Sequence, residues 1–409
     1  MSLDEVLAAN GTKKEDVFAA PRSTAIEMVG KAGAIKIMEL YKEGKVDGII
    51  SWAGSVGTTT VTYAMRALPF GVPKIMMTDM ASSDVSMWLG NKDIYIVNPT
   101  AEQGINVVTR KMVANAAAAI VAMAKVGDVS EGSRPLAAIT SYGTTTPTVK
   151  RCAEFMESRG WDVIIIHQVG AGATMEDLIR SGHIKAIIDL TIGELTNNMY
   201  NSPYGTPKTW TGERLTAASE MGIPQIVVPG GLDQSACGPL SSLPKEYLDD
   251  FKTGKRKPYK DTQLPYIHNE GVTIMVPTLE EIAQLSLYIA EKLNKTKGPT
   301  AFILPMRGWS AYDQSEELAS RERGWAKGHG DGPAWEPDEQ NPKWSRRATL
   351  MAKILKEKFD KNNENLDFII CDMHILYPEF AGLCNKCMGD MLDGKWKKGM
   401  YRDFPGVIE

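Results

Sequence analysis

About a third of the way along, the chain reads Leu136-Ala-Ala-Ile-Thr-Ser-Tyr-Gly-Thr-Thr-Thr-Pro147. The first half of this stretch is an apolar run typical of a buried strand. The second half carries a glycine, three threonines and a proline near a first helical turn, which is typical of entry into a helix. Similar runs alternate with amphipathic stretches of helical length along most of the chain. This is the pattern of βαβ units, and it predicts an α/β fold with mostly parallel sheets.

Ten candidate strands are too many for one ordinary sheet, so we predict two doubly wound halves with the functional site in the crevice between them. A polar, glycine-rich stretch near residue 130 separates an N-terminal α/β half, 1–130, from a C-terminal half, 131–409. Two segments of the C-terminal half, 238–270 and 308–345, lack periodicity and are longer than ordinary loops. These segments are either lids and binding loops or long surface loops without a functional role. The candidate strands are 46–52, 74–78, 93–98, 136–141, 162–168, 186–191, 225–230, 273–276, 300–306 and 367–373.

The composition is that of an ordinary globular protein. The 409 residues include 46 Lys and Arg against 50 Asp and Glu, for a formal charge of −4, which argues against a nucleic-acid partner. Five cysteines do not describe a disulfide framework. The N-terminus shows no basic and apolar leader, and the longest apolar run, 116–124, is well short of the about 20 residues that span a membrane. We therefore expect no membrane partner and a cytoplasmic protein.

Two glycine–threonine turns follow predicted strands and could hold an anionic group. In each, glycine lets the backbone approach a ligand, and hydroxyls and helix N–H groups supply donors. Neither turn matches a phosphate-loop or dinucleotide fingerprint, so an ordinary capped helix start is the alternative. The residues concerned are Gly54, Ser55, Gly57, Thr58 and Thr59 in the first turn, and Gly143, Thr144 and Thr145 in the second.

Acids and imidazoles follow several strands of the C-terminal half. Successive strands end near His167, near Asp189 to Glu194 and near Asp233, and the carboxyl ends of parallel strands share one edge of a sheet. Each group alone could be a helix cap or a satisfied core residue, but their shared position favours a site. We take His167, Glu194, His268 and His374 as candidate catalytic residues. The candidate substrate-binding residues beside them are Gly170, Gly172, Thr191, Gly230, Gly231, Asn269 and Arg307.

Three of these candidates, His167, Glu194 and His268, are also of the types that hold Mn, Zn or Mg. A separate pattern resembles a structural zinc site, namely Cys371-x-x-His374 followed by Cys384-x-x-Cys387. Buried neighbours on a strand and a helix explain the same residues more simply. Cys237 is the cysteine in a loop context open enough for a nucleophile.

The chain resembles the Tm-one-like ATP-binding family, whose microbial members are largely uncharacterised and whose plant relative inhibits tobamovirus replication. The likeness runs through Gly54-Ser-Val-Gly-Thr58, Thr144-Thr-Thr-Pro147, Gly170-Ala-Gly172, Leu304-Pro-Met-Arg-Gly308 and Asp372-Met-His374. It implies two α/β halves, ATP as a ligand and homo-oligomers.

The chain departs from the family pattern in three places, and each departure changes what we expect of the site. Family members usually begin with a further strand–helix–strand unit, so we expect this chain to lack one wall of the nucleotide site or to receive it from a second subunit. Val56 stands where the family has a glycine, which disfavours close approach of a phosphate. Residues 308–345 and 373–380 also diverge, which favours a specialised substrate pocket.

The first functional hypothesis is a small-molecule enzyme. A divalent metal would assist hydrolysis or carbon–carbon bond cleavage of an anionic oxo-acid or cyclic dicarbonyl. The second is an ATP-binding regulatory or inhibitor protein without catalysis. The third is a metabolite-binding scaffold that works within a hetero-oligomer. Under all three hypotheses, turns that are scattered along the chain meet at a common site.

Overall fold

The computed structural model describes residues 1–99, 101, 104–126, 132, 134–260, 262–319 and 330–409. Two compact units are present, the first formed by Met1–Gly132 with Pro207–Thr211 and the second by Ser133–Thr206 with Gly212–Glu409. The predicted boundary near residue 130 and part of the predicted loop 308–345 lie outside the described residues.

The first unit contains a three-stranded parallel sheet in the order β1-β2-β3. Its central strand is wholly buried, and Ile75 and Met77 pack against Ala116 on a covering helix. The strands are β1 (Ile49–Ala53), β2 (Lys74–Thr78) and β3 (Tyr95–Val97). The helices are α1 (Leu3–Ala8), α2 (Lys14–Ala19), α3 (Arg22–Lys42), α4 (Ser55–Ala67), α5 (Ser86–Leu89) and α6 (Val107–Ala124).

Helix α6 is the one helix of the described residues that is long and apolar enough to cross a membrane by length and composition. The longest continuous apolar run, 116–124, is shorter than this helix and does not reveal the property. One side of α6 faces the sheet, where Met112 and Ile120 contact the cluster around Ile75. The other side exposes Val107 and Val121. The contacts with Ile75 make α6 a cover for the sheet of its own unit.

The second unit is built on a six-stranded parallel sheet in the order β12-β11-β7-β6-β4-β5. A small antiparallel sheet, β8-β10-β9, lies in the same unit. The two parallel sheets confirm the predicted α/β class. The strands are β4 (Leu136–Ser141), β5 (Asp162–His167), β6 (Ile184–Thr191), β7 (Gln225–Gly230), β8 (Ser235–Cys237), β9 (Tyr266–Asn269), β10 (Val272–Met275), β11 (Thr300–Pro305) and β12 (Leu366–Cys371).

Helices cover both faces of the six-stranded sheet, which is why its central strands are mostly apolar. Strand β11 is buried at every position. One face packs against the seventh and last helices around Phe380, and the other packs around Phe302 and Ile289. The helices are α7 (Thr146–Ser158), α8 (Gly172–Arg180), α9 (Glu194–Met199), α10 (Ala217–Met221), α11 (Lys245–Lys252), α12 (Leu279–Leu293), α13 (Glu316–Ala319), α14 (Arg346–Lys358) and α15 (Pro378–Leu392).

The segment 238–270 is more ordered than its composition predicts. It contains α11 and β9, and Phe251 anchors the helix as its one buried residue. Helix α11 is short and rich in Lys, Glu and Asp, so its apolar face is too sparse to show helical periodicity.

Candidate functional site

The loops that follow β4, β6 and β7 contact one another at the carboxyl edge of the six-stranded sheet. The Tyr142 ring lies so close to Gly193 and Gly231 that a Cβ on either glycine would come within 2.4 and 2.7 Å of it. The Gln234 side chain donates from Nε2 to Thr144 Oγ1 at 2.7 Å. These contacts bring three strand ends, distant in sequence, to one place, as parallel topology predicts.

A buried loop after β11, residues 307–314, joins the same edge. Ala311 N donates to the Thr144 carbonyl at 3.0 Å, and Gly231 N donates to the Trp309 carbonyl at 3.2 Å. From Gly308 to Asp313 every residue of this loop is buried. It therefore forms a cover over the ends of β4 and β7.

Asp233 is the buried acid beneath this cover. Its Oδ2 accepts a hydrogen bond from Ser310 Oγ at 2.6 Å, and within the described residues its Oδ1, also buried, has no hydrogen-bond partner. Burial, aided by the nearby carboxylate of Asp313, raises the pKa of Asp233 to about 7. A carboxyl in this state holds or releases a proton near neutral pH, which is what a general acid–base requires.

Asp313 is the second buried acid, on the cover loop itself. Its Oδ2 accepts from Trp309 N at 3.2 Å and its Oδ1 accepts from Ser345 Oγ at 3.1 Å. Burial raises the pKa of Asp313 to about 6. Because both of its oxygens are engaged, this acid is held by the loop, whereas Asp233 keeps one oxygen available.

Glu194, a predicted catalytic and metal-binding residue, is part of a different cluster. The Arg214 guanidinium lies among three carboxylates, with Nη1 2.8 Å from Glu176, Nη2 3.0 Å from Asp189 and Nε 3.2 Å from Glu194. All four side chains are almost completely buried. Burial raises the pKa of Glu194, and the charge of Arg214 opposes this rise. The carboxylate is therefore committed to an internal ion pair.

The predicted glycines near this cluster have packing roles. A Cβ on Gly172 would lie 1.9 Å from Glu194 Oε2, so only glycine at position 172 leaves room for the Glu194 carboxylate. Gly170 has a φ of +79°. A Cβ on Gly230 would lie 2.2 Å from the Leu190 carbonyl on the neighbouring strand. Glycine is required at 172 and 230 because neighbouring atoms lie too close for a side chain. At 170 it is required because the backbone has a positive φ.

His167 is exposed at the end of β5, and its ring centre is 5.8 Å from that of Tyr142. Partial burial lowers the pKa of His167, which favours the neutral imidazole. Gly143, on the loop after β4, is exposed as well, and Thr144 is half-buried. Thr145 is turned inward, where its hydroxyl is 2.8 Å from that of Thr191.

His268 and Asn269 lie on β9 of the small antiparallel sheet and are exposed. His268 Nδ1 is 3.0 Å from the hydroxyl of Tyr312, and Asn269 caps its own hairpin by accepting from Gly271 N at 2.9 Å. These contacts link His268 to the cover loop, not to the other predicted catalytic residues.

His374 is buried behind the cover loop. Leu376 N donates to its Nδ1 at 3.2 Å, which leaves the proton on Nε2 to be donated to the Asp313 carbonyl at 3.1 Å. Burial lowers the pKa of His374 to about 4, so the ring is neutral near pH 7. It therefore holds the loop in place. Arg307, at the start of the loop, pairs through Nε and Nη2 with Asp372 at 2.8 and 2.7 Å.

No three His, Cys, Asp or Glu side chains in the described part of the chain are grouped so that they could hold a metal ion. The predicted set of His167, Glu194 and His268 is not such a group, because Glu194 is paired with Arg214 and His268 lies on β9. The cysteines of the zinc-like pattern are buried in the apolar core, where burial raises their thiol pKa values. Burial likewise raises the pKa of Cys237 to about 11, well above that of a reactive thiol.

The first predicted anion turn begins α4 in the first unit. The Thr58 hydroxyl donates to backbone carbonyls of the preceding turn and lies 2.8 Å from Thr78 Oγ1. The Thr59 hydroxyl donates to the Ser55 carbonyl and accepts from Trp88 Nε1, both at 2.9 Å. A Cβ on Gly57 would lie 2.5 Å from the Ala53 Cβ, so this glycine serves helix–strand packing. Gly54 is the N-cap residue, and Ser55 begins the helix.

The roles of Asp233, Tyr142 and Arg214 were not predicted from the sequence. Asp233 was noted at a strand end, but nothing in the sequence shows that Glu194 faces an arginine whereas Asp233 is bonded to a neutral hydroxyl. Arg214 follows an irregular segment without periodicity. The sequence feature that could have pointed to Tyr142 is its position beside a glycine, at the end of an apolar strand.

Family comparisons cover most of the chain. Two models of an uncharacterised protein family, UPF0261, match it, the N-terminal domain over residues 1–128 and the C-terminal domain over residues 134–324. A UPF0261 protein of Clostridium tetani is 39% identical over 319 residues, which are 77% of this chain and 74% of the relative. A UPF0261 protein of Brucella suis biovar 1 is 26% identical over 391 residues, 92% of this chain and 81% of the relative. The ToMV resistance protein Tm-1(GCR237) of Solanum lycopersicum is 30% identical over 312 residues, 74% of this chain but 39% of its own length.

Proposed function

We propose that this chain, which belongs to the UPF0261 family, is an enzyme that uses Asp233 as a general acid–base on a small anionic substrate. One observation carries the proposal. Asp233 is fully buried at the carboxyl edge of the parallel sheet, and its Oδ1 lacks a hydrogen-bond partner among the described residues. An unsatisfied buried carboxyl oxygen is costly, and such groups concentrate at functional sites.

The surroundings of Asp233 suit proton transfer. With a pKa of about 7, both its carboxylate and its acid form are populated at neutral pH. Ser310 holds one oxygen at 2.6 Å and so fixes the direction of the other. Because Asp233 is fully buried, substrate access requires the cover loop 307–314 to open. Lids that exclude water in this way strengthen electrostatic effects inside a site.

The reaction class that fits is hydrolysis or carbon–carbon bond cleavage of an oxo-acid or cyclic dicarbonyl. The Asp233 carboxylate takes a proton from water as the water oxygen bonds to the carbonyl carbon. The neighbouring carbon–carbon bond then breaks, and the departing carbon keeps the electron pair as an enolate. The proton held on Asp233 passes to that carbon. General acid–base transfer of this kind contributes about 10²- to 10⁴-fold to rate.

The anionic end of the substrate would lie near the exposed part of the same edge. Gly143 and His167 are exposed there, and the carbonyl of Thr144, next to Gly143, accepts from Ala311 N of the cover loop. A metal-assisted form of the reaction has less support, because the predicted ligands are not grouped. We assign no residue to Mn, Zn or Mg.

The test is a turnover screen with oxo-acids and cyclic dicarbonyls. We expect turnover by the wild type and at least a hundredfold loss in Asp233→Asn. Asp367→Asn is the matched control, because Asp367 is also buried with a raised pKa but lies at the start of β12. Full activity of Asp233→Asn would overturn the proposal. Loss of wild-type activity after chelation, restored by Mn, Zn or Mg, would show that a metal is required.

The second candidate, an ATP-binding regulatory or inhibitor protein, is favoured by the relation to a protein named for ToMV resistance. Its proposed site, the turn at Gly54, has the Thr58 and Thr59 hydroxyls engaged in internal hydrogen bonds. A rise in melting temperature across an ATP series, with no turnover of any substrate, would favour this candidate over the enzyme.

We also propose that the chain acts in the cytoplasm as a homo-oligomer, with a second subunit as the alternative source of the missing N-terminal unit. Light scattering on the purified protein should then give a mass of two or more chains. A homogeneous single-chain mass would contradict the homo-oligomer. Co-purification of a different chain at constant stoichiometry would identify a second subunit.

A further inference from the structure

A cavity of about 560 Å³ in the second unit lies between the segment after α11 and the starts of two helices, and Asp233 is not among the residues that line it. Five cationic and two carboxylate side chains line it, for a formal charge of +3. Its volume is within the range of about 300–1,000 Å³ that holds small ligands. The cationic residues are Lys255, Arg256, Lys257, Arg346 and Arg347.

The N-termini of α12 and α14 both open into this cavity. The helices have 15 and 13 residues, and their first turns supply Leu279, Glu280, Arg346 and Arg347 to the lining. The first N–H groups of a helix have no intrahelical acceptor and carry the positive end of its dipole. At α14 no side chain caps these groups, and Arg346 N donates to the Glu336 carbonyl at 2.8 Å. At α12 the Thr278 side chain accepts from Glu281 N.

Lys257 is the cation least compensated by protein groups. Its half-buried ammonium bonds to the Trp335 carbonyl, and no carboxylate in the described ranges forms an ion pair with it. By contrast, Arg256 is neutralised by Glu281 and Asp250, and Arg347 by Glu336. Burial lowers the pKa of Lys257, and an anion beside it would reverse this effect.

We propose that this cavity binds a small molecule through a phosphate group. A doubly charged tetrahedral group can accept hydrogen bonds in several directions at once, so it can use the Lys257 ammonium, the Arg346 guanidinium and N–H groups at the start of α14 together. Free phosphate fills only a small part of 560 Å³, which favours a phosphate ester. The side chains of Arg256 and Arg347 are engaged by protein carboxylates and serve as the cavity walls.

Isothermal titration calorimetry with inorganic phosphate, glycerol 3-phosphate and glycerol tests the proposal. We expect both phosphates to bind to the wild type and glycerol not to bind. Tighter binding of the ester would assign an ester ligand, and equal affinities would assign free phosphate. Lys257→Met and Arg346→Met should each weaken phosphate binding at least tenfold. Binding should also weaken as salt concentration rises.

The matched control is Lys353→Met, which removes an exposed lysine from the middle of α14 without touching the cavity. This variant should bind phosphate as the wild type does. Asp233→Asn should also keep phosphate binding, so failure of the catalytic proposal leaves this one intact. Absence of phosphate binding to the wild type would overturn the proposal. Equal weakening in all three cavity and control variants would overturn it as well, because it would show non-specific attraction.

Discussion

Asp233 differs from the buried acids Glu176, Glu194 and Asp313 in the partners of its carboxyl group. Glu176 and Glu194 face the Arg214 guanidinium, and Asp313 is bonded at both oxygens. Asp233 is bonded at one oxygen, to a neutral hydroxyl. A neutral hydroxyl stabilises a carboxylate less than an arginine does, so burial dominates and favours the protonated acid.

The free energy of unfolding should depend on pH through Asp233. The carboxyl keeps its proton up to about pH 7 in the folded chain but loses it near pH 4 when unfolded, so the folded state binds the additional proton between these values. Stability from this group is therefore complete below pH 4 and is lost as the pH rises to 7, by on the order of 4 kcal/mol. Asn mimics the protonated acid, so Asp233→Asn should be more stable than the wild type at pH 8. Urea denaturation from pH 4 to 8 measures the difference, and a constant difference would contradict the raised pKa.

Arg214 should be among the most sensitive residues for stability. Arg214→Met leaves three carboxylates buried without their cation, which should lower the free energy of unfolding by about 3–5 kcal/mol at pH 7. Arg180→Met is the control, because Arg180 is partly exposed and its Glu220 partner is more than half exposed. That pair should contribute under about 1 kcal/mol. Equal losses in the two variants, measured by denaturation, would contradict the central role of Arg214.

At the residue scale the sequence predicts positions better than roles. Glu194 and His374 were placed correctly at strand ends, but their hydrogen-bond partners decide what they do. Glu194 is paired by an arginine from an irregular segment, and His374 is held by a loop that folds back over it. Such contacts depend on three-dimensional packing between distant segments, which spacing along the chain does not show.

At the element scale the buried parallel strands were the most predictable. The predicted strands 74–78, 136–141 and 225–230 coincide with β2, β4 and β7, because strands covered on both faces are continuous apolar runs. The three-residue strand β8 was not predicted, since three residues show no periodicity. Gly172 was predicted to bind substrate, and its close contact with Glu194 was not predicted.

Helix α8 begins at a position that admits no side chain. Gly172→Ala would place a Cβ 1.9 Å from Glu194 Oε2 and 2.4 Å from Arg214 Nε. The buried cluster must then shift, which should lower the free energy of unfolding by about 1–3 kcal/mol. Gly143→Ala is the control, because a Cβ there meets nothing within 4 Å. Thermal or urea denaturation compares the two, and equal stability of both variants would contradict the tight packing at α8.

At the scale of the whole molecule, the alternation of apolar runs with amphipathic stretches predicted the α/β class and the meeting of strand ends. Parallel strands joined by right-handed crossovers place their following loops at one edge, whatever residues those loops contain. Topology therefore brought Thr144, Gly231 and the loop 307–314 together. The site in a crevice between the two halves stays a prediction.

Direct titration of the Asp233 carboxyl is the measurement that bears most closely on the catalytic proposal. Aspartate labelled with ¹³C at Cγ gives carboxyl signals that shift with protonation, and the signal missing from Asp233→Asn identifies this residue. We predict a midpoint near pH 7 for that signal. A midpoint near pH 4, the value of an ordinary exposed aspartate, would contradict it.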